Sequence, residues 1–145
     1  MTLVKDLMTS SPELLAESTP VCDIAKVMEA RTIGFVIVDD GAGRPRGVIT
    51  DRDLAIEVLA AERDATDTTA GDLLSGRPVV TVEADAAVED AVQVMKQHAL
   101  RRLPVVEDGA VVGVLGQADV ARFDETLAGE LVEVLSSARD NSAKG

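Results

Sequence analysis

The sequence predicts a mixed α+β fold made of two copies of one β-α-β-β-α plan, followed by a C-terminal helix. The first observation is internal repetition. With a shift of 66 residues identical residues coincide: Asp6-Leu7 with Asp72-Leu73, Pro12 with Pro78, Gly47-Val48 with Gly113-Val114, and Asp53 with Asp119. The second is that short β-branched runs alternate with stretches of helical periodicity inside each copy. Because so short a copy buries little surface by itself, we expect the two copies to pack on each other.

Changes in composition place the boundaries of these parts. The predicted parts are repeat 1 (1–62), a polar linker (63–69), repeat 2 (70–124), an amphipathic helix (125–137) and a disordered tail (138–145). Within repeat 1, Thr19 is predicted to cap a helix that has Pro20 at its first position and ends near Arg31. A second helix is predicted from Asp51 to about residue 62. Within repeat 2 we expect a strand at 79–82, helices at about 86–98 and 117–123, and a hairpin at 103–116.

Composition narrows the classes of function. The net charge of −12 argues against nucleic acid and anionic membranes as partners. Only 1% of the residues are aromatic, which disfavours a stacking platform for single-stranded nucleic acid. Cys22 and His98 are the only cysteine and histidine, so a disulfide, a His-cluster metal site and a catalytic triad lack their residues. We therefore expect no enzyme activity, no metal and no obligatory cofactor. Without a signal peptide or membrane-spanning run, the expected location is the cytoplasm.

The segment from Gly47 to Asp53 predicts a short strand that turns directly into a helix. Two interpretations of its polar residues stand side by side. Thr50 and Asp53 have the spacing of a capping box, which stabilises a helix by about 1 kcal/mol. Alternatively, the N–H groups of the helix start face an anion while Asp53 accepts hydrogen bonds from two vicinal sugar hydroxyls. With the repeat in view we favour the ligand interpretation, and the same two residues can serve both purposes.

The two copies resemble CBS domains in their opening and closing segments. Each copy opens with a turn of the type DLM-[ST] and closes with a segment of the type G-x-[IVL]-[ST]-x-x-D. The segments that carry the resemblance are Lys5-Asp6-Leu7-Met8-Thr9 and Gly71-Asp72-Leu73-Leu74-Ser75 for the openings, and residues 47–54 and 113–120 for the closings. The resemblance covers about residues 3–124, and the chain is similar to small stand-alone two-CBS proteins of bacteria.

The resemblance implies a Bateman module, in which two sheets are related by pseudo-two-fold symmetry and a cleft on each side holds an adenosine-containing ligand. AMP, ADP, ATP and S-adenosylmethionine are ligands of this class. In the family the aspartate of the closing motif holds the ribose hydroxyls and the threonine lies beside ribose and phosphate, which implies Asp53 and Thr50 here. The residues implied to border the base are Leu14, Leu15, Ala16, Phe35, Val36 and Ile37. The implied candidates for the phosphate are Arg52, Arg101 and Arg102.

The second closing motif departs from the family pattern. Gly116 stands where repeat 1 has Thr50, so Asp119 lacks its hydroxyl neighbour. Asp119 is either a ligand residue or a carboxylate that offsets the dipole of the helix start. We therefore expect unequal clefts.

The sequence predicts a regulatory adenine-nucleotide sensor without catalytic activity, which passes its state to an unidentified protein partner or to its own oligomer. The alternative is a ligand-independent dimeric interaction or stress-response scaffold. A homodimer is expected in either case, because several apolar faces need a cover. These faces carry Leu54, Ala55 and Val58; Val120 and Ala121; and the stripe Leu127, Leu131 and Leu135.

Overall fold

In the computed structural model of the chain, both copies contain the predicted succession of strands and helices. The structure describes the backbone of residues 1–144 and the side chains of residues 1–138. The elements are α1 (Val4–Leu7), β1 (Thr9–Ser10), β2 (Leu14–Ala16), α2 (Val21–Arg31), β3 (Phe35–Asp39), β4 (Pro45–Thr50), α3 (Asp51–Leu54), α4 (Ala70–Leu74), β5 (Val82–Glu83), α5 (Val88–His98), β6 (Arg102–Glu107), β7 (Ala110–Gly116), α6 (Gln117–Phe123) and α7 (Glu125–Lys144). Helix α3 continues into a π-helical turn over Ala55–Leu59. The predicted α+β class is confirmed.

The chain forms two compact units whose boundaries differ from those of the sequence copies. Unit 1 contains Met1–Ser11, Thr81–Glu107 and Val112–Gly145, and unit 2 contains Pro12–Val80 and Asp108–Val111. Unit 2 therefore combines the strands and helices of repeat 1 with α4, the opening turn of repeat 2. Unit 1 combines the strands and helices of repeat 2 with α1, the opening turn of repeat 1. Each copy gives its opening turn to the unit built on the other copy.

Unit 2 is built on a three-stranded sheet in the order β2-β3-β4. Strand β2 runs parallel to β3, and β3 pairs antiparallel with β4, so that Phe35 lies opposite Thr50 at the end of β4. The core of the unit is aliphatic, as the composition requires, and includes Val21, Ile24, Met28, Val36, Val38, Ile49, Leu73 and Leu74. The inclusion of Leu73 and Leu74 ties the borrowed helix α4 to the core of repeat 1.

Unit 1 is built on a four-stranded sheet in the order β1-β7-β6-β5. Strand β1 is antiparallel to β7, with Thr9 opposite Val114, and β5 is parallel to β6. Helix α7 contacts α5 and α6. Lys96 on α5 donates to Glu130 on α7 at 2.6 Å, which adds a polar link beside the apolar contact.

The glycine of each closing motif makes room for the opening turn of the other copy. A Cβ at Gly47 would lie 2.9 Å from Cδ2 of Leu74, and a Cβ at Gly113 would lie 2.9 Å from the carbonyl oxygen of Thr9. Both distances are shorter than van der Waals contact allows. A residue without a Cβ therefore lets α4 approach β4 in unit 2 and lets the α1–β1 turn approach β7 in unit 1.

The apolar stripe of the C-terminal helix is covered within its own unit. Leu131 is 0% exposed and Leu135 is 5% exposed. Val58 and Val120 are buried as well. The expectation that a second chain must cover these four residues is wrong, whereas Leu54 and Leu127 are half-buried, Ala55 and Ala121 are exposed, and the homodimer itself stays a prediction. Helix α7 also continues to Lys144, into the segment predicted as a disordered tail, and residue 145 lies outside the described residues.

Two local predictions fail where partners distant in the sequence decide the structure. Val79 and Val80 favour a strand by propensity, but the strand is Val82–Glu83, because the pairing with β6 involves only those two residues. Helix α2 has Pro20 at the N-cap and no side-chain cap. Its first N–H groups, from Val21 and Cys22, instead donate to carbonyl groups of the linker segment at 2.8 and 2.9 Å. Thr19 is therefore not the cap.

The second helix of repeat 1 is also shorter than predicted. Its α-helical part covers Asp51–Leu54, and the π-helical turn ends at Leu59. No helix within residues 1–144 combines the length and the apolar character needed to cross a bilayer.

Candidate functional site

Two strand–helix junctions carry the carboxylates that the closing motifs predict. The Asp53 junction, Thr50–Asp53 between β4 and α3, belongs to unit 2. The Asp119 junction, Gly116–Asp119 between β7 and α6, belongs to unit 1. Each junction is described within its own unit, and the two differ in what surrounds the carboxylate.

At the Asp53 junction the chain forms a complete capping box. The backbone N–H of Thr50 donates to Oδ2 of Asp53 at 2.8 Å, and the backbone N–H of Asp53 donates to Oγ1 of Thr50 at 3.1 Å. The capping interpretation is therefore observed directly. The reciprocal bonds also fix the direction of the carboxylate, because Oδ2 is held by the backbone.

The second oxygen of Asp53 faces an arginine that the motif did not contain. Arg77 Nη1 lies 3.8 Å from Asp53 Oδ1, which is an ion pair beyond hydrogen-bond distance. Nη2 of the same guanidinium donates to Glu57 Oε2. The Asp53 side chain is 26% exposed and that of Arg77 is 34% exposed. Solvent therefore reaches both groups.

The residues implied to border a base have different environments. Leu14, Leu15, Ala16 and Phe35 are half-buried, whereas Val36 and Ile37 are fully buried. The side chains of Val36 and Ile37 thus lie in the core, and only their backbone can face a ligand. Among the arginines implied for the phosphate, Arg52 is exposed beside Asp53 in the sequence, and Arg101 and Arg102 belong to unit 1.

At the Asp119 junction the carboxylate is enclosed and engaged on both oxygens. The backbone N–H of Gly116 donates to Oδ2 at 2.7 Å. Arg122, one turn further along α6, donates to Oδ1, and the hydroxyl of Thr9 lies 3.4 Å from the same oxygen. Asp119 is only 5% exposed. This arrangement stabilises the start of α6 and leaves little of the carboxylate for a ligand.

Arg101 and Arg102 lie next to the start of α6. The carbonyl oxygen of Arg101 accepts from the backbone N–H of Gln117 at 3.1 Å, so this part of the chain is fixed to the Asp119 junction. The Arg101 side chain is exposed, and that of Arg102 is half-buried. Both belong to the same unit as Asp119.

A second Thr-x-x-Asp segment in unit 2, Thr69–Asp72, forms the same kind of capping box at the start of α4. The backbone N–H of Thr69 donates to Asp72 Oδ2 at 2.9 Å, and the N–H of Asp72 donates to Thr69 Oγ1 at 3.2 Å. Hydrogen bonds from the Thr69 backbone and side chain hold the pKa of Asp72 below its ordinary value of 3.8. This box caps the N-terminus of α4, and its hydrogen-bond distances are nearly the same as those of the Thr50–Asp53 box.

Sequence reasoning missed Arg77 and Thr9, which contact the two motif aspartates. Each belongs to the opening segment of one copy and reaches the carboxylate of the other copy. A shift of 66 residues aligns equivalent positions of the two repeats and carries no information on contacts between different positions of the two copies. The exchange of the opening turns is the fact that would have revealed them.

A comparison with models of protein families identifies the family of this chain. The model of the CBS domain matches residues 4–60 and again residues 70–125. The chain belongs to the CBS domain family. Together the two matches cover most of the chain, and they agree with the two copies found in the sequence. CBS-pair proteins are regulatory modules.

Several relatives and solved structures of this family are similar to the chain. Hypoxic response protein 1 of Mycobacterium tuberculosis is 33% identical over 122 residues, which is 84% of this chain and 85% of that protein. An uncharacterised protein of Methanopyrus kandleri is 34% identical over 130 residues, 89% of this chain. The match spans only 63% of that relative's length.

A crystal structure of Hypoxic Response Protein I with two coordinated zinc ions has a TM-score of 0.79 at 32% identity. The match covers 86% of this chain and all of that one. A CBS domain protein of Pyrobaculum aerophilum complexed with AMP has a TM-score of 0.73 at 25% identity, and the match covers 91% and 99% of the two chains. In the present chain, the described residues contain no group of three or more His, Cys, Asp or Glu side chains placed to hold a metal ion.

Proposed function

We propose that this CBS pair is a regulatory module that binds one adenosine nucleotide at the Asp53 junction. The observation that carries the proposal is the state of the Asp53 carboxylate. Its Oδ2 is held by the Thr50 N–H, while Oδ1 lies at ion-pair distance from Arg77 and the side chain is partly exposed. A carboxylate fixed through one oxygen and accessible at the other is suited to accept from ribose hydroxyls.

The chemistry of the ligand follows from the residue types. Hydrogen bonds to an ionised carboxylate are roughly twice as strong as neutral ones, so vicinal hydroxyls of a ribose are good donors to Asp53. Thr50 lies beside this carboxylate in the same capping box. Half-buried apolar residues of β2 and β3 in the same unit supply the kind of surface on which a base packs. The AMP bound by the P. aerophilum relative supports the same class of ligand.

A thermal-shift experiment with AMP, ADP, ATP and S-adenosylmethionine tests the proposal. A ligand at about 100 times its dissociation constant stabilises the folded protein by roughly 2.7 kcal/mol. We expect a rise in Tm for the wild type with at least one of these ligands and its loss in Asp53→Asn. The matched control is Asp72→Asn, which changes the same position of the same kind of capping box. No shift with any ligand, or equal shifts for wild type and Asp53→Asn, would refute the proposal.

The alternative, a ligand-independent dimeric scaffold, is favoured by one apolar surface of unit 2. Leu59 and Ile56 in the π-helical turn are 79% and 52% exposed. Leu59 lines a pocket of about 550 Å³ whose other residues include Val21, Cys22, Ala25 and Val58. Apolar side chains so exposed next to a pocket are typical of interaction surfaces. A two-fold pairing with a second copy is the commonest way to cover such a surface.

Sedimentation at increasing concentration tests the homodimer that the alternative requires. If a homodimer forms through this surface, Leu59→Glu shifts the protein toward the chain mass of 15.2 kDa. The control variant is Val132→Glu on α7, because Val132 is 46% exposed in unit 1 and its replacement should leave the dimer intact. A wild type that sediments as a monomer at all concentrations would refute the homodimer while leaving the nucleotide proposal to the thermal-shift test.

A further inference from the structure

Arg77 is presented to the Asp53 junction from a well-fixed turn. It follows α4, whose Leu73 and Leu74 are buried in the core of unit 2. Its backbone N–H donates to the carbonyl oxygen of Leu74 at 3.0 Å, which closes the turn through Gly76. Because the turn is anchored in this way, the guanidinium has a defined place beside Asp53 and Glu57.

The contacts of this guanidinium leave it able to exchange partners. It donates to Glu57 through one nitrogen and remains 3.8 Å from Asp53. A guanidinium has five N–H donors in a planar fork that matches the oxygens of a phosphate. Its side chain is 34% exposed, so an incoming anion can reach it without unfolding the turn.

Carboxylates outnumber cations around Asp53. Asp51, Asp53 and Glu57 lie on the same short helical segment together with one exposed cation, Arg52, in a chain with net charge −12. A phosphate on a ribose held by Asp53 meets these carboxylates, and like charges repel at close range. Arg77 is the cation that this unit places in contact with both Asp53 and Glu57.

We propose that Arg77 determines the specificity of the Asp53 junction for phosphorylated adenosine ligands, by exchanging its bond to Glu57 for one to the ligand phosphate. The inference rests on the proposed function, because it assumes that Asp53 holds the ribose. Adenosine, which lacks a phosphate, gains nothing from this exchange.

Titration calorimetry with AMP and adenosine tests the proposal on the full chain. In Arg77→Gln the affinity for AMP falls roughly 10- to 100-fold, the effect expected for losing a hydrogen bond to a charged group. The affinity for adenosine changes by less than about twofold, since only the contact to the phosphate is lost. Glu57→Gln has the opposite effect and binds AMP more tightly, because Arg77 loses its competing carboxylate. The matched control is Arg46→Gln, which removes another arginine of unit 2 that pairs with Glu17 at 2.8 Å.

The outcomes separate this proposal from the proposed function. If Arg77→Gln weakens AMP and adenosine equally, or neither, Arg77 does not read the phosphate, and the proposal is overturned while nucleotide binding stands. If the wild type binds neither compound, the proposed function fails and this inference fails with it. Should Arg77→Gln not fold, as judged by circular dichroism, the Glu57→Gln variant decides alone: an unchanged or weaker affinity for AMP overturns the proposal.

Discussion

The two motif aspartates occupy equivalent positions in the two copies, yet one is accessible and the other is enclosed. Both accept a backbone N–H at the start of a helix, from Thr50 at 2.8 Å and from Gly116 at 2.7 Å. Asp119 is then covered by Arg122 on its own helix and by Thr9. The residue of repeat 1 that aligns with Arg122 is Ile56, which is apolar and 52% exposed. The closing motif thus fixes the carboxylate in both copies, and its neighbours decide whether it is available.

The largest effect on the free energy of unfolding is expected from replacing Gly47 and Gly113, the glycines that make room for the opening turns. Gly113→Ala forces a Cβ against the carbonyl oxygen of Thr9, a backbone atom that cannot rotate away. Gly47→Ala forces one against the Leu74 side chain, and the φ of +155° at Gly47 strains any residue with a Cβ in addition. Overpacking of this kind costs about 1–3 kcal/mol, and we expect both substitutions to destabilise the protein within this range. Urea denaturation measures both, and a neutral Gly113→Ala would contradict the close approach.

The next effect concerns how much Asp53 and Asp119 each contribute to the stability of the fold. Asp119→Ala removes an acceptor that serves Gly116 and Arg122 in a buried place, and it should lower the free energy of unfolding by about 2 kcal/mol. Asp53→Ala removes half of a partly exposed capping box, and the expected loss is about 1 kcal/mol. Chemical denaturation monitored by circular dichroism gives both values. A larger loss of stability in Asp53→Ala than in Asp119→Ala would contradict this expectation.

A smaller effect tests whether the side chain one turn after the aspartate determines how accessible the carboxylate is to a ligand. Ile56→Arg places in repeat 1 the side chain that Arg122 supplies in repeat 2. The new arginine should pair with Asp53 and compete with the ribose, lowering the affinity for AMP by roughly fivefold, in line with a partly exposed ion pair. Calorimetry measures the change, with Ile56→Gln as the uncharged control. An identical effect of both substitutions would show that charge pairing is not the cause.

The smallest effect concerns the capping box that serves as a control. Because the pKa of Asp72 is lowered in the folded protein, its charge stabilises the fold above the ordinary value of 3.8. This stabilisation is lost as the pH falls through the folded pKa. Asp72→Asn should therefore be less stable than the wild type at pH 7, and the difference should vanish in acid. Thermal unfolding across the acid range measures it, and a difference that persists at the lowest pH would contradict the assignment.

The sequence is most informative where local pattern and tertiary structure agree. Helix α6 is predicted at 117–123 and is found at Gln117–Phe123, since its apolar spacing and the preceding strand point the same way. The predicted end of α2 at Arg31 is also found, and the following Thr32 adopts the left-handed conformation of a C-cap. The capping box of Thr50 and Asp53 follows from spacing alone.

What the sequence could not supply are contacts between distant segments. The N–H groups at the start of α2 find carbonyl groups of the linker, and neither segment carries a local sign of this pairing. Arg77 escapes prediction because nothing next to it in the sequence marks it as a partner of Asp53. The burial of Leu131 and Leu135 by their own unit depends on the fold of repeat 2, which an amphipathic stripe does not encode.

Titration of AMP into the wild type, Asp53→Asn and Asp119→Asn tests whether the Asp53 junction, and not the Asp119 junction, holds the nucleotide. Asparagine keeps an oxygen that can accept the capping N–H in each case, so the fold should survive. We expect one site per chain in the wild type, at least a roughly tenfold loss of affinity in Asp53→Asn, and unchanged affinity and stoichiometry in Asp119→Asn. Two equivalent sites in the wild type, or a loss of binding in Asp119→Asn with Asp53→Asn unaffected, would contradict it.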